Sequence, residues 1–102
     1  MMTNPNIEIA PEEFWQDSLN WLDAKLYCFS LNIDGKTGWR LPDIEDFHSP
    51  DFKHGDYWFW TCVTADDGAI QVDGRSLYQC PMDLDSTAYT MTMPVRDLKD
   101  NS

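Results

Sequence analysis

The sequence predicts an α+β domain, with its helical pattern in the first half and its strands bunched in the second. Three observations carry this. Apolar residues recur at helical spacing between Trp15 and Phe29. The pattern then turns to aromatic and β-branched residues, of which Tyr57 to Thr64 is the richest run. Asp-Gly pairs punctuate the second half, at Asp67-Gly68 and Asp73-Gly74, which is the chemistry of tight hairpin turns. With 102 residues and neither an internal repeat nor an interdomain linker, residues 1–102 form a single domain with room for one core.

Ile7 and Ile9 alternate with polar neighbours, so Asn6 to Ala10 is a short strand burying that pair. Pro11-Glu12-Glu13 reads as a helix start; if the helix instead begins at Asn20, Pro11 to Ser18 is a separate turn. Trp15, Leu19, Leu22, Leu26 and Phe29 step by four, three, four and three, one apolar stripe expected to face the core. Asn20 and Asp23 form a capping-box arrangement, so the firm part of the helix is Trp21 to Ser30. Asp34 to Gly38 is a turn, with Gly35 closing the helical region. Gly38 lets the chain bend before Trp39, and Pro42 keeps Leu41 out of the α conformation. Trp39 to Leu41 is therefore extended. A second short helix is expected from Pro42, with Asp43, Glu45 and Asp46 at its positive end. His48 to Asp56 is a surface loop. Strands are expected at Tyr57 to Thr64, Ala69 to Val72, Ser76 to Cys80 (stopped by Pro81) and Thr87 to Val95.

Composition limits the partners. Seven Lys and Arg against 18 Asp and Glu leave a formal charge of -11. Such a chain repels bare nucleic acid and anionic membranes, so neither is expected as a direct partner. Basic protein surfaces are attracted. Cys28, Cys62 and Cys80 are odd in number and widely spaced, which argues for free thiols rather than a disulfide framework. The first residues carry no basic flank and no apolar run, and no stretch approaches the roughly 20 residues of a membrane span. A reducing compartment, the cytoplasm, is the expected location.

Trp21-x-x-Ala24-x-x-Tyr27-Cys28-x-x-Leu31-x-x-x-Gly35-x-x-x-Trp39-Arg40-Leu41-Pro42 resembles the signature of a bacterial and phage domain family with a Trp-Arg-Leu-Pro motif. That family includes the C-terminal domain of a collagen-like adhesin and is related to C-type-lectin-like domains and formylglycine-generating enzymes. Tyr57-Trp58-x-x-Thr61 and Pro94-Val95-Arg96 resemble its later motifs, so the likeness spans residues 21–96. It implies two helices packed on a twisted, mostly antiparallel sheet, with the chain ends close together. It also implies that Trp21, Trp39 and Leu41 are core, that Pro42 shapes the leg, and that Arg40 ties loops together through carboxylates and carbonyls. Three departures stand out: Phe59-Trp60 replaces two serines, the loop from His48 to Asp56 is short, and the closing arginine pattern is incomplete.

Tyr57-Trp58-Phe59-Trp60 is the most unusual composition. In a strand Tyr57 and Phe59 share one face, Trp58 and Trp60 the other. One pair is expected in the core and the other at a sugar-stacking or protein-binding surface, unless a two-layer fold covers both. Asp66, Asp67 and Asp73 supply hard oxygens, but lectin-type calcium motifs are missing, and Asp-Gly is ordinary turn chemistry. His48, His54, Cys62 and Cys80 fit no zinc spacing. No nucleophile elbow or phosphate-binding glycine loop is present. The expectation is a binding module without catalysis, metal or cofactor. It would contact a protein or glycan through Tyr57, Trp58, Phe59 and Trp60, with Asp66, Asp67, Asp73 and Arg75 beside them. The alternative is a phage-like acidic inhibitor that mimics nucleic acid in a basic groove. A structural subunit that self-associates through exposed aromatics is a third reading.

Overall fold

The computed structural model describes residues 7–48, 52, 54–65, 68–86 and 90–98. Asn20 opens the one α-helix among them, α1 (Trp21–Ser30), its side-chain oxygen accepting the Asp23 amide at 2.8 Å. The inward row of α1 is built from small residues. Ala24 and Cys28 are fully buried, with Trp21, Tyr27 and Leu31 packed beside them. The stripe expected to face the core points outward instead: Leu22 and Leu26 are each 54% exposed and Phe29 is 80% exposed. Trp15 and Leu19 precede the helix, and Trp15 is already extended after a 3-10 turn at Glu12–Phe14, so the five residues never share one helical face. The small inner residues let α1 sit close against Trp39, Leu41 and Trp60.

After α1 the chain reverses between Ile33 and Lys36, which exchange both backbone hydrogen bonds. Asp34 and Gly35 have φ of 54° and 86°, the pair of left-handed residues such a tight turn demands. Gly38, at φ 85°, turns the chain again before Trp39. The leg from Trp39 is extended as expected, and Arg40 bridges Val95 in both directions at 2.7 and 2.8 Å. The segment beyond Pro42 is a 3-10 helix, Ile44–His48, not a second α-helix. There the Asp46 amide bonds back to the Asp43 carbonyl, and the Asp46 carboxylate accepts the Asp43 amide, a tight local loop that closes three residues apart.

Among the described residues there are seven strands: β1 (Ile7–Ile9), β2 (Gln16–Asp17), β3 (Trp58–Ala65), β4 (Gly68–Asp73), β5 (Gln79–Met82), β6 (Thr90–Thr92) and β7 (Val95–Asp97). β1 pairs antiparallel with β7, which brings the two ends of the described chain together. The main sheet has the order β2-β6-β3-β4-β5 and is antiparallel except where β6 runs parallel to β3. The strand expected at Ser76 to Cys80 starts later and passes through Pro81, which sits opposite Ile70. β5 is an edge strand, where a missing N–H costs no ladder bond. The strand expected at Thr87 to Val95 is two, β6 and β7, separated by Met93-Pro94; residues 87–89 lie outside the described set.

The main sheet is covered on both sides. Trp60 packs with α1, Trp39 and Leu41 on one face, whereas Phe59 packs with Phe47, Phe52, Val72, Met93 and Val95 on the other. Indole N–H groups tie these layers: Trp15 donates to Ala10 O, Trp21 to Thr61 O, Trp39 to Lys36 O and Trp60 to Leu19 O, all at 2.8 to 2.9 Å. Among the described residues no helix is long and apolar enough to cross a membrane.

Candidate functional site

The aromatic strand does not form the surface expected of it. Phe59 and Trp60 are both 0% exposed, because α1 and the Ile44–His48 segment cover opposite faces of β3. Neither side chain can reach a partner. Tyr57 is partly exposed and meets Trp15 and Phe59 edge-on, at 6.4 and 5.9 Å between ring centroids. Trp58 is half-buried against Tyr78. As neighbours in sequence, Tyr57 and Trp58 face opposite sides, so they make no joint patch.

The acidic turns divide as well. Asp66 and Asp67 lie outside the described residues. Asp73 uses both carboxylate oxygens locally, accepting the Arg75 amide at 3.0 Å and the Ser76 hydroxyl at 3.1 Å. The Arg75 amide bond is the main reason its carboxyl lies below the usual carboxylate range. Asp73 is a turn organiser. Arg75 is exposed and only loosely paired with it, at 3.9 Å. Among the described residues no three His, Cys, Asp or Glu side chains gather as metal ligands.

A different site emerges where α1, the Trp39–Pro42 leg and an irregularity in β3 meet. The β3–β4 register places Trp60 opposite Gln71 and Thr64 opposite Ala69, so Thr61, Cys62 and Val63 stand against Ile70 alone. This bulge is satisfied from outside the ladder. Thr61 O accepts the Trp21 indole, Cys62 N donates to Pro42 O at 2.9 Å, and the Thr61 hydroxyl donates to Ile70 O while accepting Val63 N. The bulge thereby pins α1 and the leg apart at a fixed spacing. Between them lies a predominantly apolar groove of about 260 Å³. α1 contributes Trp21, Lys25, Leu26 and Phe29, the leg contributes Trp39, Arg40 and Leu41, and the bulge contributes Cys62. Leu22 continues the exposed apolar row one turn before Leu26.

Among the described residues two cations line this groove, and they differ in kind. The Arg40 guanidinium is engaged with Asp97 at 2.8 and 3.3 Å, with Leu41 O at 2.9 Å and with Asp46 at 3.5 Å. Burial alone would lower its pKa, but the Asp97 hydrogen bond and the charges of Asp97 and Asp46 raise it overall. It is a fixed structural tie between β7, the leg and the 3-10 helix. Lys25 has no carboxylate partner among the described residues, and its ammonium lies 5.1 Å from the Trp21 ring centre. The exposed Cys62 thiol is pushed up by partial burial and then by the Asp43 charge, so it stays protonated near neutral pH. Burial pushes the Cys28 thiol up to about 12. Neither thiol is an activated nucleophile.

Leu22, Lys25, Leu26 and Phe29 were not among the residues the sequence singled out for binding. A signal was present: Trp21, Ala24, Tyr27, Cys28 and Leu31 mark a second apolar row on the same helix. A helix with one sheet to pack on cannot bury two such rows.

No family model matches the chain, and no curated protein is significantly similar to it.

Proposed function

We propose that this protein is a non-catalytic binding module that docks another protein on the outer face of α1. The observation that carries the reading is the exposed row Leu22, Leu26 and Phe29 beside a rigid apolar groove. Three large apolar side chains on one short helix, two of them half in solvent and one mostly so, form a contiguous patch of the kind protein interfaces cover. A protein suits this face better than a glycan. Two of the three residues are aliphatic, and sugars stack on exposed aromatic rings flanked by polar groups. We place the fold in the C-type-lectin-like group as part of the same proposal. Its support is the pairing of β1 with β7 and the Arg40 guanidinium tied to Asp97 and Leu41 O, both of which fit what the motif resemblance implies.

The test compares the wild type with a Leu22→Ser, Leu26→Ser, Phe29→Ser variant, immobilised and exposed to lysate of the native host. Circular dichroism checks that both fold. A protein retained by the wild type and absent from the variant supports the docking face. Equal retention by both overturns it. Retention by both that disappears between low and physiological salt points to the acidic surface, as nucleic-acid mimicry requires. A mass that grows with concentration in sedimentation, and falls in the variant, makes the partner a second copy of this chain.

A further inference from the structure

The groove has a shape and a charge that narrow the kind of segment it takes, given the docking role proposed for α1. At about 260 Å³ it falls below the roughly 300 to 1,000 Å³ of sites that enclose a whole small ligand. It matches one large side chain inserted from a protein segment. Leu26, Phe29, Trp39 and Leu41 supply apolar walls, and the bulge and the Trp21 indole bond hold the spacing between them.

The charge is local and runs against the chain as a whole. The molecule carries -11, yet Lys25 stands at this groove with no acidic partner among the described residues. Arg40, the other cation there, is committed to Asp97 and Asp46. Lys25 is therefore the one cation among the described residues of this groove without a carboxylate partner, and its ammonium rests over the Trp21 ring, which limits how far it strays. We propose that the groove receives a bulky apolar side chain of a partner protein, and that Lys25 pairs with a carboxylate adjacent to that side chain in the partner's sequence. A single carboxylate suffices. A run of acidic residues would be repelled by the surrounding charge, and by Asp43 and Asp46, whose charges already reach Cys62 at the groove's far wall.

Blocked five-residue peptides serve as probes: Gly-Gly-Phe-X-Gly, with X being Glu, Gln or Lys. Each is titrated into the isotope-labelled chain, and amide shifts are followed by NMR. The expected result is shifts centred on Leu26, Phe29 and Cys62, with the Glu peptide binding roughly threefold to fivefold tighter than the Lys peptide, the size of a surface ion pair. Lys25→Gln should erase that preference and leave the phenylalanine-dependent shifts. Leu26→Asp should remove the shifts for every peptide. Equal binding of the three peptides in the groove overturns the role of Lys25 and leaves the docking face standing. A Glu preference that survives Lys25→Gln, or a tighter Lys peptide, also overturns it. Shifts confined to other surfaces overturn the groove as the receptor. If, in addition, retention of a protein is indifferent to Leu22, Leu26 and Phe29, the docking role itself falls.

Discussion

α1 and β3 both carry large apolar side chains and dispose of them in opposite ways. Phe59 and Trp60 of β3 are completely covered, one on each face of the sheet. Leu22, Leu26 and Phe29 of α1 remain largely in solvent. The difference lies in how many layers each element touches. A central strand with a layer on both sides buries consecutive residues. A helix resting on one face of a sheet buries a single stripe, and in α1 that stripe is taken by Ala24 and Cys28, which are small enough for close approach. The bulk on this side of the sheet comes from Trp39, Leu41 and Trp60. The larger residues of α1 are free for contact with something else.

The sharpest way to break this comparison is to truncate one residue from each region. Trp60→Ala removes a fully buried indole and its bond to Leu19 O, and should cost about 3 to 5 kcal/mol in denaturant unfolding. Phe29→Ala, although it also deletes a ring, should stay within about 0.5 kcal/mol. A Phe29→Ala loss near that of Trp60→Ala would mean that α1 presents its outer row to the core. A smaller but opposite test enlarges the inner row. Ala24→Leu adds bulk where none is exposed, and overpacking should cost about 1 to 3 kcal/mol in the same measurement. If that substitution were neutral, the close seating of the helix would be wrong.

What could be read in advance sorts by the range of the interaction. The Asn20 cap, the left-handed turn at Asp34-Gly35, the bend at Gly38 and the extended leg are set by neighbours within four residues, and they stand where the residue types place them. The tie from Arg40 to Asp97 spans 57 positions and was reachable only through the motif resemblance. The facing of α1 depends on which of two apolar rows meets the sheet, which no periodicity within the helix decides. The helix expected after Pro42 is a 3-10 turn, in which the Asp46 amide bonds the Asp43 carbonyl three residues back and the Asp46 carboxylate accepts the Asp43 amide; dipole arguments about the acidic residues suit a 3-10 start as well as an α-helical one. Pro81, which would stop a central strand, is tolerated because β5 lies at the sheet edge. The candidate site suffered most. It depends on the β3 bulge, and nothing in Thr61-Cys62-Val63 announces that three residues will oppose one.

The smallest expected effect concerns the seam that joins the chain ends rather than either region above, and it separates charge from packing. Glu8 in β1 lies opposite Arg96 in β7 and accepts hydrogen bonds from Arg96 Nε at 2.8 Å and from Lys36 Nζ at 2.9 Å. The Lys36 hydrogen bond, followed by that of Arg96, holds the Glu8 carboxyl below its ordinary value of 4.5 against the opposing effect of burial. A carboxyl depressed on folding stabilises the protein above its unfolded pKa, and that stabilisation fades as pH falls through the folded pKa. Glu8→Gln should therefore cost about 0.5 to 1 kcal/mol at pH 7, as befits a pair open to solvent. The gap between wild type and variant should hold constant down to about pH 5 and then close on further acidification. Thermal unfolding of the two proteins across that range measures it. The difference is the useful quantity, because neutralising other carboxylates relieves self-repulsion in both chains alike. A protonated Glu and a Gln present nearly the same outline and differ from the ionised Glu in the charge that the ion pairs require. A gap that persists undiminished at the acid end would therefore show that the charge of Glu8 is not what holds β1 to β7.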